Sequence, residues 1–544
     1  MLSRNRRRFT LSINKLPLIL AAYYMLIINV PIWAAMHSIL TALDSVKIGF
    51  VISIPIFFVA AFHFIFQVFN WPYFSKPFFI FLLLTSSLVS FAMFNYGIYV
   101  DYGMIENVFE TNPAEASSYL SVYSVAWFVL MGGLPAIALA LTPLTLTSMG
   151  HFLSWKIIGM LFSLAVIGII AALYYKDYAS VGRNNSYLKK MIIPTEYLVS
   201  TFKYINNTYL TEPVPYKEIG LDAKQATAAL QASKPTLLMF IVGETARVYN
   251  YQLHGYAKPT NAYTIPYHPI FFQNVTSCGT ATAVSVPCMF SQLNRDNYDK
   301  PTAYNQDNVI DILKRAGITV TWWDHDGGDK GVAHHIKKMT LLPNRVDPLC
   351  NSEHCFDTAL LEHFDQETAN LTHNTVMFYH IMGSHGPTYF ERYPESHRKF
   401  VPDCPHADIE NCTNEELVNT YDNTILFTDY FISKAIEDLK SVSDKYNTAL
   451  IYISDHGESL GENGIYLHGM PYSVAPKEQT HIPLMMWFSD GFIKQKHLSI
   501  SCLTQRAKTD HYSQDNVFDS LLGIMDVETK AYRVNQDIFV PCRK

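Results

Sequence analysis

Residues 448–472 read TALIYISDHGESLGENGIYLHGMPY. The run 448–454 is apolar, rich in β-branched and aromatic residues and without a polar face, which predicts a buried central strand. It is followed directly by Asp455, His456 and Gly457. An open α/β sheet binds ligands where such strands end, and carboxylate oxygen with imidazole nitrogen suits zinc. The alternative is that Asp455 caps a helix and His456 is an ordinary surface histidine.

Two further apolar runs end in residues of the same type. The run 236–242, TLLMFIV, stops at Gly243 and Glu244, and the run 375–382 leads into a Gly/Pro turn that contains His385. The first of these has no polar face, so we predict a second buried strand. Three strand ends with metal-type ligands favour a metal site over three unrelated surface groups.

Four motifs resemble those of the lipid A phosphoethanolamine transferases, the family that includes the mobile colistin-resistance enzymes. They are VGETAR at 242–247, SCGTATAVSVPCMFS at 277–291, GSHGP at 383–387 and SDHGESLGENGIYLHGMPY at 454–472. The resemblance extends over the whole chain. It implies a multi-pass α-helical membrane domain, an α/β outer domain of the alkaline-phosphatase and sulfatase type, and a zinc-dependent phosphoethanolamine transferase.

The resemblance also implies roles for individual residues. The positions that match the family's zinc ligands are Glu244, Thr280, Asp455 and His456. The positions that match substrate-binding residues are Asn107, Thr111, Glu115, Lys330, His385 and His468. Thr280 also matches the nucleophile, and His468 matches a residue that protonates the leaving group. His385 and His468 match positions implicated in a second metal as well.

A metal site that transfers groups needs a nucleophile. The stretch 276–285 carries five hydroxyl side chains, and its Cys-Gly pair reads as the turn before a helix that runs to a break near Pro287. A hydroxyl in the first turn would meet phosphate where free backbone N–H groups and the helix dipole attract anions. Residue type leaves Thr276 and Thr282 as alternatives to Thr280, and a helix N-cap is the commoner role for each. Only the resemblance selects Thr280.

Residues 1–176 are apolar enough to form a membrane domain. Each of five runs is about long enough to cross ~30 Å of hydrocarbon. The runs are 16–36, 48–69, 77–100, 120–142 and 157–175. A signal peptide has only one short apolar region and does not explain them. The basic run 4–15 should stay in the cytoplasm, and five crossings then place the chain after the fifth span in the periplasm. Lys47 does not fit this orientation, because it lies in a loop that the orientation places outside the cytoplasm.

All eight cysteines lie after residue 277, in the part that this orientation places outside the cytoplasm, where disulfides form. Sequence proximity predicts three pairs: Cys278 with Cys288, Cys350 with Cys355, and Cys404 with Cys412. Cys502 and Cys542 either form a fourth bridge or stay free. A cysteine-rich zinc site is disfavoured because the chain has no C-x-x-C pair.

The rest of the chain divides into a polar linker, 177–234, and the outer domain, 235–544. Apolar residues recur at helical spacing in the linker: Leu198, Phe202, Ile205 and Tyr209. That helix would lie on the membrane surface or pack on the outer domain. The strand candidates of the outer domain are 236–242, 318–323, 375–382, 448–454 and 482–488. They alternate with helix-like stretches, 307–316 and 414–439, which predicts a central, mostly parallel sheet.

We therefore predict an enzyme of the bacterial inner membrane that moves phosphoethanolamine from phosphatidylethanolamine to a lipid A phosphate through a threonine intermediate at a zinc site. The added amine would offset negative charge and weaken the binding of polymyxins. A core sugar or another glycan stays open as the acceptor, as does the number of zinc ions. A glycerophosphate-type polymer synthase fits the motifs poorly. We predict a monomer and no nucleic-acid partner.

Overall fold

The computed structural model describes residues 10–41, 46–110, 119–212, 214–343, 345–351, 354–407 and 409–544. The chain forms two compact units. The first comprises Met1–Ile105 and Leu120–Tyr209, and the second comprises Glu106–Tyr119 and Leu210–Lys544. One division therefore falls inside the predicted linker, and residues Glu106–Tyr119, from the segment between the third and fourth predicted spans, belong to the second unit.

Helices make up most of the described residues before residue 210. They are α1 (Leu16–Tyr23), α2 (Val30–Thr41), α3 (Ile48–Phe69), α4 (Ser75–Tyr96), α5 (Tyr102–Glu110), α6 (Val122–Phe128), α7 (Leu134–Leu141), α8 (Met149–Asn184) and α9 (Thr195–Ile205). Within the described ranges, the helical stretches long and apolar enough to cross a membrane are Ile48–Phe69, Ser75–Tyr96, Val122–Leu141 and Met149–Tyr178. A fifth results if Leu16–Ile28 and Val30–Thr41, bent by 62°, form one broken span. Each predicted apolar run overlaps one of these stretches.

The linker helix α9 belongs to the first unit. Tyr197 Oη lies 2.7 Å from Thr85 Oγ1 and 3.1 Å from Ser86 Oγ, both on α4. Phe202 and Tyr209, from the predicted apolar stripe, are exposed. The helix thus packs on α4 through one face and leaves Phe202 exposed, and Tyr209, just after the helix, is exposed as well.

The second unit is built on a seven-stranded sheet. Its strands are β1 (Thr236–Gly243), β2 (Ile270–Phe272), β3 (Thr319–Asp324), β4 (Lys337–Thr340), β5 (Thr375–His380), β6 (Asn447–Ser454) and β7 (Leu484–Phe488). Their order across the sheet is β2-β7-β6-β1-β5-β3-β4. Neighbours from β6 to β4 are parallel, β7 is antiparallel to β6, and β2 is antiparallel to β7. The sheet is mostly parallel, as predicted.

The central strands β6, β1 and β5 contain only buried residues, because the sheet is covered on both faces. The main helices of this unit are α10 (Thr282–Phe290), α11 (Val309–Arg315), α12 (Asn414–Ser441), α13 (Ile500–Thr509) and α14 (Val517–Ile524). Thr413 and Glu416 form a capping box that starts α12. Phe240, Phe290 and Trp322 belong to one hydrophobic core between the sheet and its helices.

The helix after the hydroxyl-rich stretch differs from the prediction at both ends. α10 begins at Thr282, with Ala281 at its N-cap, so Thr280 precedes the helix instead of lying in its first turn. The helix also continues through Pro287 to Phe290. Proline removes one helix hydrogen bond, but the residues from Ser285 to Phe290 are all buried, and this packing stabilises the helix beyond Pro287.

All eight cysteines form disulfides. The three predicted pairs, Cys278–Cys288, Cys350–Cys355 and Cys404–Cys412, are confirmed. Cys502 and Cys542, for which the sequence left two outcomes, form the fourth bridge.

Candidate active site

The candidate site lies where β6 and β1 end side by side. In their parallel register, Gly243 pairs with Ser454. Glu244 and Asp455 are the next residues of the two strands, so the register places their carboxylates next to each other. Both side chains and that of His456 are fully buried.

Glu244, Asp455 and His456 offer ligand atoms within 4.8 Å of one another. His456 Nε2 lies 3.3 Å from Glu244 Oε1 and 3.3 Å from Asp455 Oδ2. Burial, followed by the Asp455 charge, raises the pKa of Glu244 well above its usual value. Burial lowers the pKa of His456 and so favours neutral imidazole. Two carboxylates around a neutral imidazole are a donor set that suits zinc.

Hydrogen bonds orient this group and leave one oxygen unsatisfied. Asp455 Oδ1 accepts from the backbone N–H groups of Thr245 at 3.2 Å and His456 at 2.6 Å. Asp455 Oδ2 has no hydrogen-bond partner within the described part of the chain. His456 Nδ1 lies 2.9 Å from the Gly457 carbonyl oxygen, which can only accept, so Nδ1 carries the proton and Nε2 presents its lone pair. A metal ion would satisfy both Nε2 and the unpaired oxygen, so these residues fit zinc.

The threonines on either side of Ala281 make different contacts. Thr282 Oγ1 donates to Glu244, at 3.3 Å from Oε1 and 3.1 Å from Oε2, and lies 3.4 Å from His456 Nε2. Thr280 Oγ1 donates to the Met470 carbonyl oxygen at 2.5 Å. In this structure the hydroxyl of Thr282 therefore touches the ligand group, while that of Thr280 is bonded to the segment after His468.

Two more histidines lie beside this group. The ring centroids of His456 and His468 are 4.5 Å apart, and those of His468 and His385 are 5.6 Å apart. His468 and His385 are both buried. His468 Nδ1 lies 2.8 Å from Glu458 Oε2. The structure thus brings together two of the histidines that the sequence singled out and the ligand-type residues.

The remaining predicted substrate residues lie on other elements. Lys330 is in the loop after β3, has a left-handed backbone with φ of 44°, and its Nζ lies 3.4 Å from the Gly327 carbonyl oxygen. Asn107 lies on α5. Thr111 and Glu115 lie outside the described residues.

Sequence reasoning missed three polar groups at the same edge of the sheet. Asp324 is the last residue of β3, Asp326 follows in the loop, and His380 is the last residue of β5. His380 lies inside the run 375–382, and that run predicted a strand without marking any of its residues as a ligand. The one available signal was the Asp-x-Asp pattern of Asp324 and Asp326 after a predicted strand. The order of the strands in the sheet must be known before this pattern can be placed near Glu244.

The fold and the buried ligands at its strand ends define an enzyme of the sulfatase class that carries apolar helices before its catalytic domain. The Sulfatase family model matches residues 236–527. A second family model, described as phosphoethanolamine transferase EptA/EptB, matches residues 58–209.

Full-length relatives narrow the class. Phosphoethanolamine transferase EptA of Escherichia coli (strain K12) is 38% identical over 100% of both chains. Phosphatidylethanolamine transferase Mcr-1 of Escherichia coli is 33% identical over 93% of this chain and 95% of its own. The integral membrane protein lipooligosaccharide phosphoethanolamine transferase A of Neisseria meningitidis superposes with a TM-score of 0.93 at 35% identity, covering 98% of this chain and 100% of that one. The chain belongs to the phosphoethanolamine transferase family and is a multi-pass membrane protein.

Proposed function

We propose that the protein transfers phosphoethanolamine from phosphatidylethanolamine to a phosphate of lipid A at the periplasmic face of the bacterial inner membrane. The observation that carries this proposal is the buried group Glu244, Asp455 and His456, with threonine hydroxyls and histidines beside it. The Neisseria meningitidis relative is a lipooligosaccharide phosphoethanolamine transferase, which supports an acceptor of the lipopolysaccharide type. The added amine would weaken the binding of polymyxins by offsetting negative charge.

Glu244, Asp455 and His456 would hold zinc, with Thr280 as the fourth ligand. A bound zinc ion would stabilise the deprotonated hydroxyl and offset charge on the phosphate oxygens. The bond from His456 Nδ1 to the Gly457 carbonyl fixes the tautomer of the imidazole, and two backbone N–H groups fix Asp455. These contacts orient the ligands before substrate arrives.

In the first half-reaction, Thr280 Oγ1 forms a bond to the donor phosphorus as the bond to the diacylglycerol oxygen breaks. The threonine proton passes to solvent, and His468 gives a proton to the departing diacylglycerol. In the second half-reaction, a lipid A phosphate oxygen attacks the same phosphorus, the bond to Thr280 Oγ1 breaks, and Thr280 takes a proton from His468. His468 recovers its proton from solvent after each half-reaction. Two half-reactions let one site serve two large lipids in turn.

The nucleophile is assigned to Thr280 on the family match. Its hydroxyl must rotate away from the Met470 carbonyl oxygen to reach phosphorus. Thr282 is the rival, because its hydroxyl already contacts Glu244. We assign Thr282 to holding the Glu244 carboxylate, since a hydroxyl that donates to a ligand stabilises the orientation of that ligand.

Binding of the donor headgroup is assigned to three residues: Asn107, Thr111 and Glu115. Lys300 Nζ lies 3.3 Å from Glu106 Oε1 and also pairs with Glu110, so the two acids of α5 nearest Asn107 already share a cationic partner. The ethanolamine ammonium is therefore assigned to Glu115. Lys330 and His385 would contact phosphate oxygens.

Mass spectrometry of lipid A from a host with and without the gene tests the acceptor. The proposal predicts one added phosphoethanolamine on a lipid A phosphate, together with increased tolerance of polymyxin. Phosphoethanolamine found on a core sugar, with lipid A unchanged, would favour the alternative acceptor. Failure to modify any part of lipopolysaccharide would contradict the proposal.

A further inference from the structure

A second group of ligand-type residues lies on the other side of Glu244 from Asp455. Strand β1, which Glu244 follows, runs between β6 and β5. Asp455 follows β6, whereas His380 ends β5. Glu244, Asp326 and His380 offer ligand atoms within 4.8 Å of one another, and their exposed fractions are 0%, 6% and 0%.

Asp324 fixes the ring of His380. The two residues are direct partners in the register of β3 and β5, and His380 Nδ1 lies 3.0 Å from Asp324 Oδ1. Asp324 Oδ2 accepts from the Gly328 N–H at 2.7 Å, so both carboxylate oxygens are engaged. Because an ionised carboxylate only accepts, Nδ1 carries a proton. A carboxylate that holds one ring nitrogen in this way is the usual support of a metal-binding histidine.

The other ring nitrogen points into the group and has no hydrogen bond there. His380 Nε2 makes no hydrogen bond within the described ranges, and it lies 3.5 Å from Asp326 Oδ2, beyond the normal N–H···O range. The ring is completely buried, so solvent cannot satisfy this atom. A buried polar atom without a partner is costly. A cation between Nε2 and the carboxylates would satisfy all of them.

Glu244 also lies close to two other buried carboxyl groups. Glu244 lies between Asp455 and Asp326, and all three carboxylates are buried. A zinc ion held by Asp455 and His456 offsets the charge on one side only. Buried carboxylates are stable when they are paired or when they coordinate metal.

We infer that Glu244, Asp326 and His380 bind a second divalent metal ion, and that Glu244 is shared between the two metal sites. One imidazole nitrogen with two carboxylate oxygens suits zinc better than magnesium or calcium. The inference rests on the proposed function only through Glu244, which also serves the first site. The second ion would fix Glu244 and reduce the negative charge that incoming phosphate meets.

Metal content tests the inference without reference to activity. Full-length protein in detergent is stripped with EDTA, equilibrated with zinc chloride, and freed of unbound metal before analysis by inductively coupled plasma mass spectrometry. We expect two zinc ions per chain in the wild type and one in Asp326→Asn and in His380→Gln. Parallel samples with magnesium or manganese chloride identify the preferred ion. Asp326→Asn is nearly isosteric, which protects the fold.

Matched controls are Asp296→Asn and His373→Gln, the same changes at exposed positions, which should keep two ions. Asp455→Asn should lose the other ion, so failures of the two sites are distinguishable. A wild type with one ion, or two ions retained in both Asp326→Asn and His380→Gln, would overturn the inference. His380 would then be an imidazolium held between Asp324 and Asp326.

Discussion

Glu458 holds the ring of His468, because Glu458 Oε2 lies 2.8 Å from His468 Nδ1. The other oxygen, Glu458 Oε1, accepts from the hydroxyl of Tyr389. Since a carboxylate accepts, Nδ1 carries a proton, and Nε2 is the nitrogen that would exchange a proton with the departing lipid. Glu458 is therefore a positioning residue for His468.

The Glu458→Gln variant should lower kcat by about 10- to 100-fold, because the amide neither enforces the tautomer nor stabilises the imidazolium of His468. KM for donor lipid and zinc content should stay near wild type, whereas the pH–rate profile should shift. Tyr389→Phe, which removes the other contact of Glu458, is the matched control and should have a smaller effect. A wild-type pH profile in Glu458→Gln would refute the positioning role.

Zinc retention should separate ligands from proton donors. Asp455→Asn and His456→Ala each remove a ligand of the proposed four-coordinate site, so both should lose zinc and activity. His468→Ala should keep zinc and lose turnover. Metal analysis of the purified variants checks this, and full zinc occupancy in Asp455→Asn would show that this residue is not a ligand.

The Cys278–Cys288 bridge should matter for activity more than the Cys502–Cys542 bridge. The first closes 10 residues that include Thr280, while the second closes 40 and lies elsewhere in the unit. Each should contribute about 2 to 4 kcal/mol to the free energy of unfolding. Both double serine variants should therefore melt at lower temperature.

Only the loss of the first bridge should also reduce activity well below the melting temperature, because it frees the segment that holds Thr280, the proposed nucleophile. Donor turnover by the two double variants at one low temperature is the measurement. Equal activities would argue against a role of the Cys278–Cys288 bridge in placing Thr280.

Asp438 on α12 should make the free energy of unfolding depend on pH. Burial, followed by the charges of Asp365 and Glu437, raises the pKa of Asp438 to about 6. In the unfolded chain the pKa is about 4, so between about pH 4 and pH 6 the folded state binds more protons and the free energy of unfolding falls as pH rises. Asp438→Asn mimics the protonated acid. Its melting temperature should equal that of the wild type near pH 4 and exceed it above pH 7. Identical melting curves at both pH values would contradict this.

The central strands were predictable because a strand that is buried on both faces consists of a continuous run of apolar residues. That is why β1 and β6 lie within one residue of the predicted runs at each end. The edge strands β2 and β4 were not predicted. β2 has only three residues, and β4 reads KKMT and is largely exposed, so neither carries that pattern.

For the site, the sequence identified residues that directly follow a predicted strand, such as Glu244 and Asp455. It missed His380 because the last residue of a buried strand looks like any other residue of that strand. It also placed the start of α10 too early, since a hydroxyl-rich stretch after a Cys-Gly pair offers several N-cap residues. The contact between Thr282 and Glu244 depends on that helix start and emerges only from the three-dimensional structure.

The covalent mechanism is tested most directly by the intact mass of the full-length protein after incubation with phosphatidylethanolamine and no acceptor. The wild type should gain the mass of one phosphoethanolamine ester, and Thr280→Ala should gain none. Thr282→Val removes the hydroxyl that contacts Glu244 but leaves the proposed nucleophile, so it should still form the adduct. An adduct on Thr280→Ala would contradict the assignment of Thr280 as the nucleophile. So would an adduct that forms on the wild type and on Thr280→Ala but not on Thr282→Val.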